Sequence, residues 1–556
     1  MIESRQNVGS PAKGFVPQIV ELIIPLLLIV FTLWQGSYFP IQFLMMTALL
    51  LLAFILFGKS LTITKEAAML FAISLLYCVS LLVFTENHYA GLIETLRTLI
   101  FPLTLLLFLN TDPGKMEKAL FIALLYIAVL GLLEVSSVIY IHGGVDESVG
   151  RLHSTIQYAN MTALLMLTGI LYSIKNYVTK SNIWSLCYCA VFAVALYLTG
   201  SRTTLLIALA VCALYIYIIS QRRGKIIVVC ALLSAMGVIA ALGMLTEIRI
   251  FRMSVFESTL VERWITFQDA FEMLHGRWFL GIGAGNWQEW QLRFQSAPYY
   301  VRYIHNYYLQ LLLDGGILAP ALFCAATLPA AYRGIRSKSV HGVILIAFML
   351  HSLLDIAFIF AAGAMIAMFS LSRLTVGGNT LNIGRLRYAA VVPLLAVTVL
   401  QGSELHSTMA DTHRENGNLE ASMRGYKAAL ALNPLNTDLY FRMAQSTLDI
   451  GLAEEYVRAA IERNPRDSRS IAALAQIESR RGNYAAALEL SGRLIENRRF
   501  SEDYRSLRRE IASHAVNNAI IDYTEYWAIL AELDAILLYV NPLHTQFHRS
   551  EIVDDN

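Results

Sequence analysis

Thirteen long apolar stretches precede residue 402, at roughly 16–36, 40–57, 66–84, 90–109, 118–140, 157–174, 184–200, 203–219, 226–244, 306–331, 341–355, 357–372 and 387–402. Nothing else in the chain constrains its fold as tightly. In hydrocarbon every backbone N–H and C=O must be satisfied internally, and about 20 apolar residues make one helical crossing. Charged residues are 15% of the chain, against about 25% in soluble domains. The expected architecture is all-α: a polytopic membrane bundle of about 12–13 transmembrane helices over residues 1–402, then a small extracytoplasmic α-solenoid over 403–556. Residues 1–13 are polar without a cleavage signal, and the first stretch is too long for a signal peptide, so it reads as a retained helix.

Orientation follows from Lys and Arg in the short connections. With a cytoplasmic N-terminus, the cytoplasmic turns hold Lys59, Lys65, Lys115, Lys118, Lys175, Lys180, Arg222, Arg223, Lys225, Arg333, Arg336, Lys338, Arg373, Arg385 and Arg387. The opposite short turns hold almost none, except Arg151 and Arg202. The long connection 245–305 then lies outside, as does everything after the last span.

Several function classes drop out. The net charge is +2 and there is no basic block, so nothing points to nucleic acid. No GxxxxGK[ST] occurs and no cytoplasmic loop could house a nucleotide-binding domain, which argues against ATP-driven transport. The six cysteines all fall in apolar runs, and Cys187 and Cys189 lack a second ligand pair at zinc spacing. They read as small buried hydrophobes.

Chemistry, if present, belongs to the residues that break the apolar pattern. Arg202 stands in Thr199-Gly-Ser-Arg-Thr203, where one span ends and the next begins. Such an Arg can snorkel to headgroups, yet its fork also suits phosphate oxygens. Arg263 follows a Thr259…Glu262 capping-box pattern, so it is expected in the first turn of a helix, where anions are favoured. Trp264, Phe267, Phe271 and Leu274 share one face of that helix, which reads as amphipathic and lying on the outer membrane surface. The run Gly281-Ile-Gly-Ala-Gly285 lacks a surrounding βαβ unit and reads as a tight turn. His305 and Asn306 open the tenth span, with Asp314-Gly-Gly316 two to three turns further on. His suits proton abstraction near neutral pH, although a lone His at a helix start is commonly structural. Asp355 is a second acid near the same face and the rival base; ionisable groups in spans are functional candidates. Glu94 and Arg97 are three apart on one helix and are expected to neutralise each other.

After Gln401 the composition becomes that of a soluble helical segment. Gly417, Gly451 and Gly482 recur at 34 and 31 residues, and Asn433-Pro434 and Asn464-Pro465 at 31. This period, with small residues such as those of Tyr484-Ala-Ala-Ala-Leu-Glu-Leu, resembles tetratricopeptide repeats. A protein partner bound through such repeats is the corresponding expectation.

Taken together, Gly150-Arg151 with Tyr158-Ala-Asn160, Gly200-Ser-Arg-Thr203, Arg263-Trp264, Gly281 to Trp287, and His305-Asn306 to Asp314-Gly315 resemble the O-antigen ligase and O-antigen polymerase superfamily over roughly residues 60–375. The resemblance implies a GT-C-type membrane glycosyltransferase of the bacterial cytoplasmic membrane. It implies transfer of glycan from an undecaprenyl-diphosphate donor to a glycan, lipid or protein acceptor, with inversion and without metal or other cofactor. Arg202 and Arg263 match the arginines that hold the diphosphate, with Arg151 beside them. His305 matches the histidine that activates the acceptor, and Asn160, Asn306 and Asp314 are supporting. Leu274-His-Gly-Arg-Trp278 departs from the family's usual His-Pro pair, and the repeats are absent from lipopolysaccharide ligases. Ligase and polymerase remain open readings. A transporter would show repeats among its spans, and none is visible; a scaffold would not need Arg202, Arg263 or His305.

Overall fold

The computed structural model describes residues 15–58, 60–146, 150–221, 253–538 and 540–542. They form an all-α protein with twenty-two α-helices and two short two-stranded ribbons. The membrane part begins with α1 Phe15–Leu33, α2 Pro40–Phe57, α3 Lys65–Val83, α4 His88–Leu109, α5 Pro113–Val135, α6 Ala159–Lys180, α7 Trp184–Leu198 and α8 Arg202–Ile219. It continues with α9 Met253–Met273, α10 Trp287–Phe294, α11 Tyr307–Gly315, α12 Leu318–Arg336, α13 Val340–His351, α14 Ala361–Ser372 and α15 Val391–Glu415. Among the described residues seven helical stretches are long and apolar enough to cross a membrane: α2, α3, α4, α5, α8, α12, and the run Gly384–Glu415 that includes α15. Four shorter apolar helices accompany them, within α1 and at α7, α13 and α14. The protein is a multi-pass membrane helix bundle.

Local chemistry explains most of these helices. Asp112 caps α5 by accepting from the Lys115 N–H at 2.8 Å, and Pro113 follows at the first helical position. In α6 fourteen residues between Ala159 and Ser173 are buried. A helix buried all round belongs in an interior, and its hydroxyls are satisfied within it: Thr168 donates to the Leu164 carbonyl at 2.9 Å and Ser173 to that of Gly169 at 2.8 Å.

Two expectations are corrected, for the tenth and the thirteenth stretch. The tenth span is not continuous but broken between α11 and α12, because Gly316 adopts φ +69° and a Cβ there would lie 1.9 Å from the Phe279 carbonyl oxygen. The eleventh and twelfth stretches are α13 and α14, separated by a 3₁₀ turn at Ala357–Ile359. The thirteenth does not end at the change in composition, since α15 runs on to Glu415. The expected span 226–244 lies outside the described residues.

The chain divides into two compact units, a different cut from the division by composition near residue 402. One holds residues 1–72, 97–251 and 322–397; the other holds 73–96, 252–321 and 398–556. In the first, β1 Ser60–Ile63 pairs antiparallel with β4 Asn379–Asn382, and β2 Val145–Asp146 with β3 Arg151–Leu152. Phe358 packs its ring 5.9 Å from Phe101 and 5.1 Å from Phe323.

The second unit includes the tail helices α16 Leu419–Leu432, α17 Asp438–Ala444, α18 Ile450–Arg463, α19 Ser468–Arg480, α20 Tyr484–Asn497, α21 Glu502–Asn517 and α22 Tyr523–Leu538. Helices α16, α18 and α20 start at 419, 450 and 484, a period of 31 and 34 residues. Asn433 and Asn464 end α16 and α18 with nearly identical backbone angles, φ −136° and −132°. Gly417 and Gly482 share a left-handed turn after a helix, φ +74° and +82°, but Gly451 does not. Gly451 instead lies in the first turn of α18, its N–H held by the Asp449 carboxylate at 2.8 Å. The tail core is built on Ile471, Leu494 and Ile511, all fully buried, each worth about 1.5–3 kcal/mol over exposure.

Candidate functional site

Two groups of polar side chains stand out, one in each unit. In the first unit the centre is Arg151, on β3. Its Nε donates to the Thr199 carbonyl at 2.9 Å and its Nη2 to Asn160 Oδ1 at 3.0 Å. Asn160, in the first turn of α6, donates through Nδ2 to Asp355 Oδ2 at 2.6 Å. The other oxygen of Asp355 accepts from the Tyr158 hydroxyl and the Ile356 N–H, both at 2.8 Å. The carboxylate is buried, at 2% exposure, and three donors converge on it. That geometry suits orienting Asn160 and Tyr158 better than abstracting a proton.

Thr199 and Gly200 lead into α8, whose first residue is Arg202. Gly200 takes φ +62°, which lets the chain reverse between α7 and α8 within three residues. The Cγ of Arg151 lies 3.5 Å from where a Cβ of Gly200 would stand. Arg151 and Arg202 therefore flank one turn at a helix N-terminus, a setting that favours anions. Neighbouring His153 feels the positive field: burial first, then Arg151, lowers its imidazole below its ordinary value.

Sequence reading missed the amides beside this group. Gln35 donates to Gln157 at 2.7 Å, Gln42 donates to Gln35, and Gln157 donates to the His142 carbonyl at 2.5 Å. Gln35 and Gln157 both hold left-handed backbone, φ +50° and +57°. The ring of Tyr158 stacks on Phe360 at 5.4 Å.

In the second unit α9 begins at Met253, so Thr259 is inside the helix rather than at its cap, and Arg263 is the eleventh residue, not one of the first turn. The helix N-terminus therefore gives Arg263 no help. Its side chain is mostly buried, at 9% exposure. The expected single apolar face of α9 is also split. Leu274 is fully buried and Phe267 packs against the loop core, while Trp264 and Phe271 are exposed.

His305 precedes α11, and its neighbours Tyr303, Ile304 and Asn306 are each held by a hydrogen bond. Tyr303 donates its hydroxyl to Glu94 Oε1 at 2.7 Å, and both side chains are buried. The Ile304 N–H goes to Gln310 Oε1 at 3.2 Å, and Ile304 is fully buried. Asn306 caps α11, accepting from the Leu309 N–H at 3.0 Å. The His305 side chain is half-buried in this clamped segment. Arg97 donates to the carbonyls of Ile359 and Tyr38, both at 2.8 Å.

Asp314 is a structural clamp. Oδ2 accepts from Gln310 at 2.9 Å and Tyr77 at 3.1 Å, Oδ1 accepts from the Gly285 N–H at 3.3 Å, and its carbonyl accepts from Ser80 at 2.7 Å. Gly281, Gly283 and Gly285 all have positive φ, and a Cβ on Gly281 would lie 2.3 Å from the Leu313 carbonyl oxygen. This run is a tight turn pressed against α11, as its sequence suggested. Asn286 fastens it to the α3–α4 connection, donating to the Phe84 carbonyl and accepting from the Glu86 N–H, both at 3.0 Å.

Tail residues reach the same loop. Arg466 pairs with Glu86 at 2.7 Å and lies over the Trp290 ring at 5.8 Å; Arg277 lies over the same ring at 4.8 Å. Glu289, whose carboxyl is raised by burial, accepts from Asn87 at 3.0 Å and from Asn464 at 3.2 Å.

Residues 187–324 match the family model described as O-antigen ligase. They run from α7 into α12 and contain Arg202, Arg263, His305 and Asp314, while Arg151, Asn160 and Asp355 lie beyond their ends. The matched stretch is about a quarter of the chain, and over it the protein is similar to O-antigen ligases. No curated protein matches the chain.

Proposed function

We propose that the protein transfers a glycan from an undecaprenyl-diphosphate-linked donor to an acceptor at the outer face of the bacterial cytoplasmic membrane. The observation that carries this reading is the turn at Gly200, flanked by Arg151 and Arg202, with Arg151 aimed by Asn160 and Asp355. An extracytoplasmic site has no nucleotide sugars, so an activated sugar arrives there on a lipid. Arg202 and Arg151 hold the diphosphate; Arg263 matches the second diphosphate-binding arginine of the family that the sequence resembles. Asp355 positions Asn160 and Tyr158.

In the proposed reaction an acceptor hydroxyl attacks the anomeric carbon from the face opposite the diphosphate. The carbon–oxygen bond to the phosphate breaks, and the electron pair leaves with undecaprenyl diphosphate. Guanidinium groups compensate the charge that builds on the leaving oxygen. His305 takes the proton of the attacking hydroxyl. Inversion at the anomeric carbon follows from a single displacement. Asn306 and Asp314 hold the His305 segment, and the tail, a tetratricopeptide-like domain over residues 403–556, receives a macromolecular acceptor or its carrier.

The test is transfer by purified protein in proteoliposomes with a lipid-linked oligosaccharide. Release of undecaprenyl diphosphate together with a glycosylated acceptor supports the proposal. A product that grows by whole repeat units on the lipid assigns the polymerase reaction. Donor movement across the bilayer without bond cleavage refutes transfer altogether.

A further inference from the structure

The turn between α9 and the glycine run carries three consecutive exposed large apolar side chains. Trp278, Phe279 and Leu280 are 43%, 79% and 55% exposed. The Trp278 ring stacks on exposed Phe271 with centroids 5.9 Å apart. Their backbone cannot rotate to hide them. The Gly281 N–H bonds the Arg277 carbonyl at 2.8 Å and the Ile317 N–H bonds the Trp278 carbonyl at 2.9 Å. Gly316 lies directly against the Phe279 carbonyl. A rigid, contiguous apolar patch on this scale marks a partner surface.

What covers it follows from α12. Exposed residues on that helix include Leu318, Ala321, Ala325, Leu328 and Tyr332. Their spacing of three and four makes one apolar stripe, on a helix long and apolar enough to cross a membrane. From Leu318 to Tyr332 there are fourteen rises of about 1.5 Å, about 21 Å of stripe. The hydrocarbon core is about 30 Å thick, which leaves about 9 Å of apolar depth beyond Leu318 for something else to fill. Ile317, itself 43% exposed, joins the Trp278 turn to the start of that stripe.

We propose that Trp278–Leu280 is a membrane wedge. Phe279 and Leu280 enter the acyl-chain layer beside the N-terminal end of α12, and Trp278 sits at the headgroup level that its amphipathic ring favours. Exposed His275 and Arg277 stay on the polar side. The wedge fixes the depth of the loop that carries Arg263 and His305. This moves the main lipid contact from α9 to the turn after it, since Phe267 of α9 and Leu274 just beyond it are spent on the loop core.

The experiment uses the full-length protein without its native cysteines, carrying Phe279→Cys or, separately, Leu280→Cys. Each is labelled with an NBD fluorophore and reconstituted into phosphatidylcholine nanodiscs. Asn518→Cys, on the exposed end of α21, is the aqueous control. The wedge predicts blue-shifted emission at 279 and 280, loss of most emission with acyl-chain doxyl lipids, and little loss with iodide. The control shows the reverse. Iodide quenching without doxyl quenching at both sites overturns the proposal. Protection from both quenchers also overturns it, because protein rather than lipid then covers the turn.

Discussion

Replacing Arg151 with lysine keeps the charge and removes the fork. The two bonds at stake are Nε to the Thr199 carbonyl and Nη2 to Asn160 Oδ1. A lysine ammonium reaching from the same Cα can remake one of them. The net loss is about one charge-assisted bond, roughly 1.5–3 kcal/mol. At about 1.4 kcal/mol per decade, the rate of glycan transfer at limiting donor falls roughly ten- to hundredfold. Asn160→Ala breaks the same chain one link further on and is expected to cost about as much. Because both residues act through Asn160 Oδ1, the double variant should fall well short of the sum, with an interaction energy of about 0.5–3 kcal/mol. The assay is initial-rate transfer from lipid-linked oligosaccharide in proteoliposomes, with rates normalised to folded protein. Wild-type rates in Arg151→Lys, or strict additivity in the double variant, would show that Arg151 only fastens the end of α7.

Arg202→Lys should lower transfer by a similar ten- to hundredfold for loss of one charged bond, and an unchanged rate would leave Arg202 a lipid anchor. Gly316→Ala forces a side chain into left-handed backbone against the Phe279 carbonyl and should cost at least about 1–3 kcal/mol, read as a lower melting midpoint in detergent; an unchanged midpoint refutes the tight contact. Removing the tail after Ser403 strips Asn464 and Arg466 from Glu289, Glu86 and Trp290, so amide exchange should quicken across residues 286–300, and unchanged exchange would show that the tail does not brace the loop. His153 has a folded pKa below its reference value of 6.5, so its contribution to stability is present above that pH and is lost as pH falls through the folded value. The loss of stability on acidification should shrink in His153→Gln, as followed by thermal unfolding between pH 7 and pH 5.

The bundle was legible because length and hydropathy leave a buried backbone few choices. The break at Gly316 was not, since two glycines inside an apolar run look like a continuous span until Phe279 is known to press on them. Likewise Thr259 and Glu262 form a capping box on paper, but α9 starts six residues earlier, and a local pattern does not reveal that a helix has already begun. Arg151, Asn160 and Asp355 were each visible as polar exceptions. Their union was not, because the Asn160–Asp355 bond closes across 195 residues. Tyr77, Ser80 and Asn286 carried no signal for the same reason: they matter only once α3 lies against the glycine run. In the tail, Asn433-Pro434 and Asn464-Pro465 marked equivalent helix ends, whereas Gly451 matched the spacing while opening a helix.

His305 is the proposed base in a transfer from a lipid diphosphate. Single-turnover transfer at saturating donor, compared among wild type, His305→Ala, His305→Gln and Asp355→Asn, tests it. Both His305 variants should bind the lipid donor normally and transfer about 10²–10⁴ times more slowly, while Asp355→Asn loses less. Near-normal transfer in both His305 variants, with collapse in Asp355→Asn, would contradict this role of His305 and move the base to Asp355.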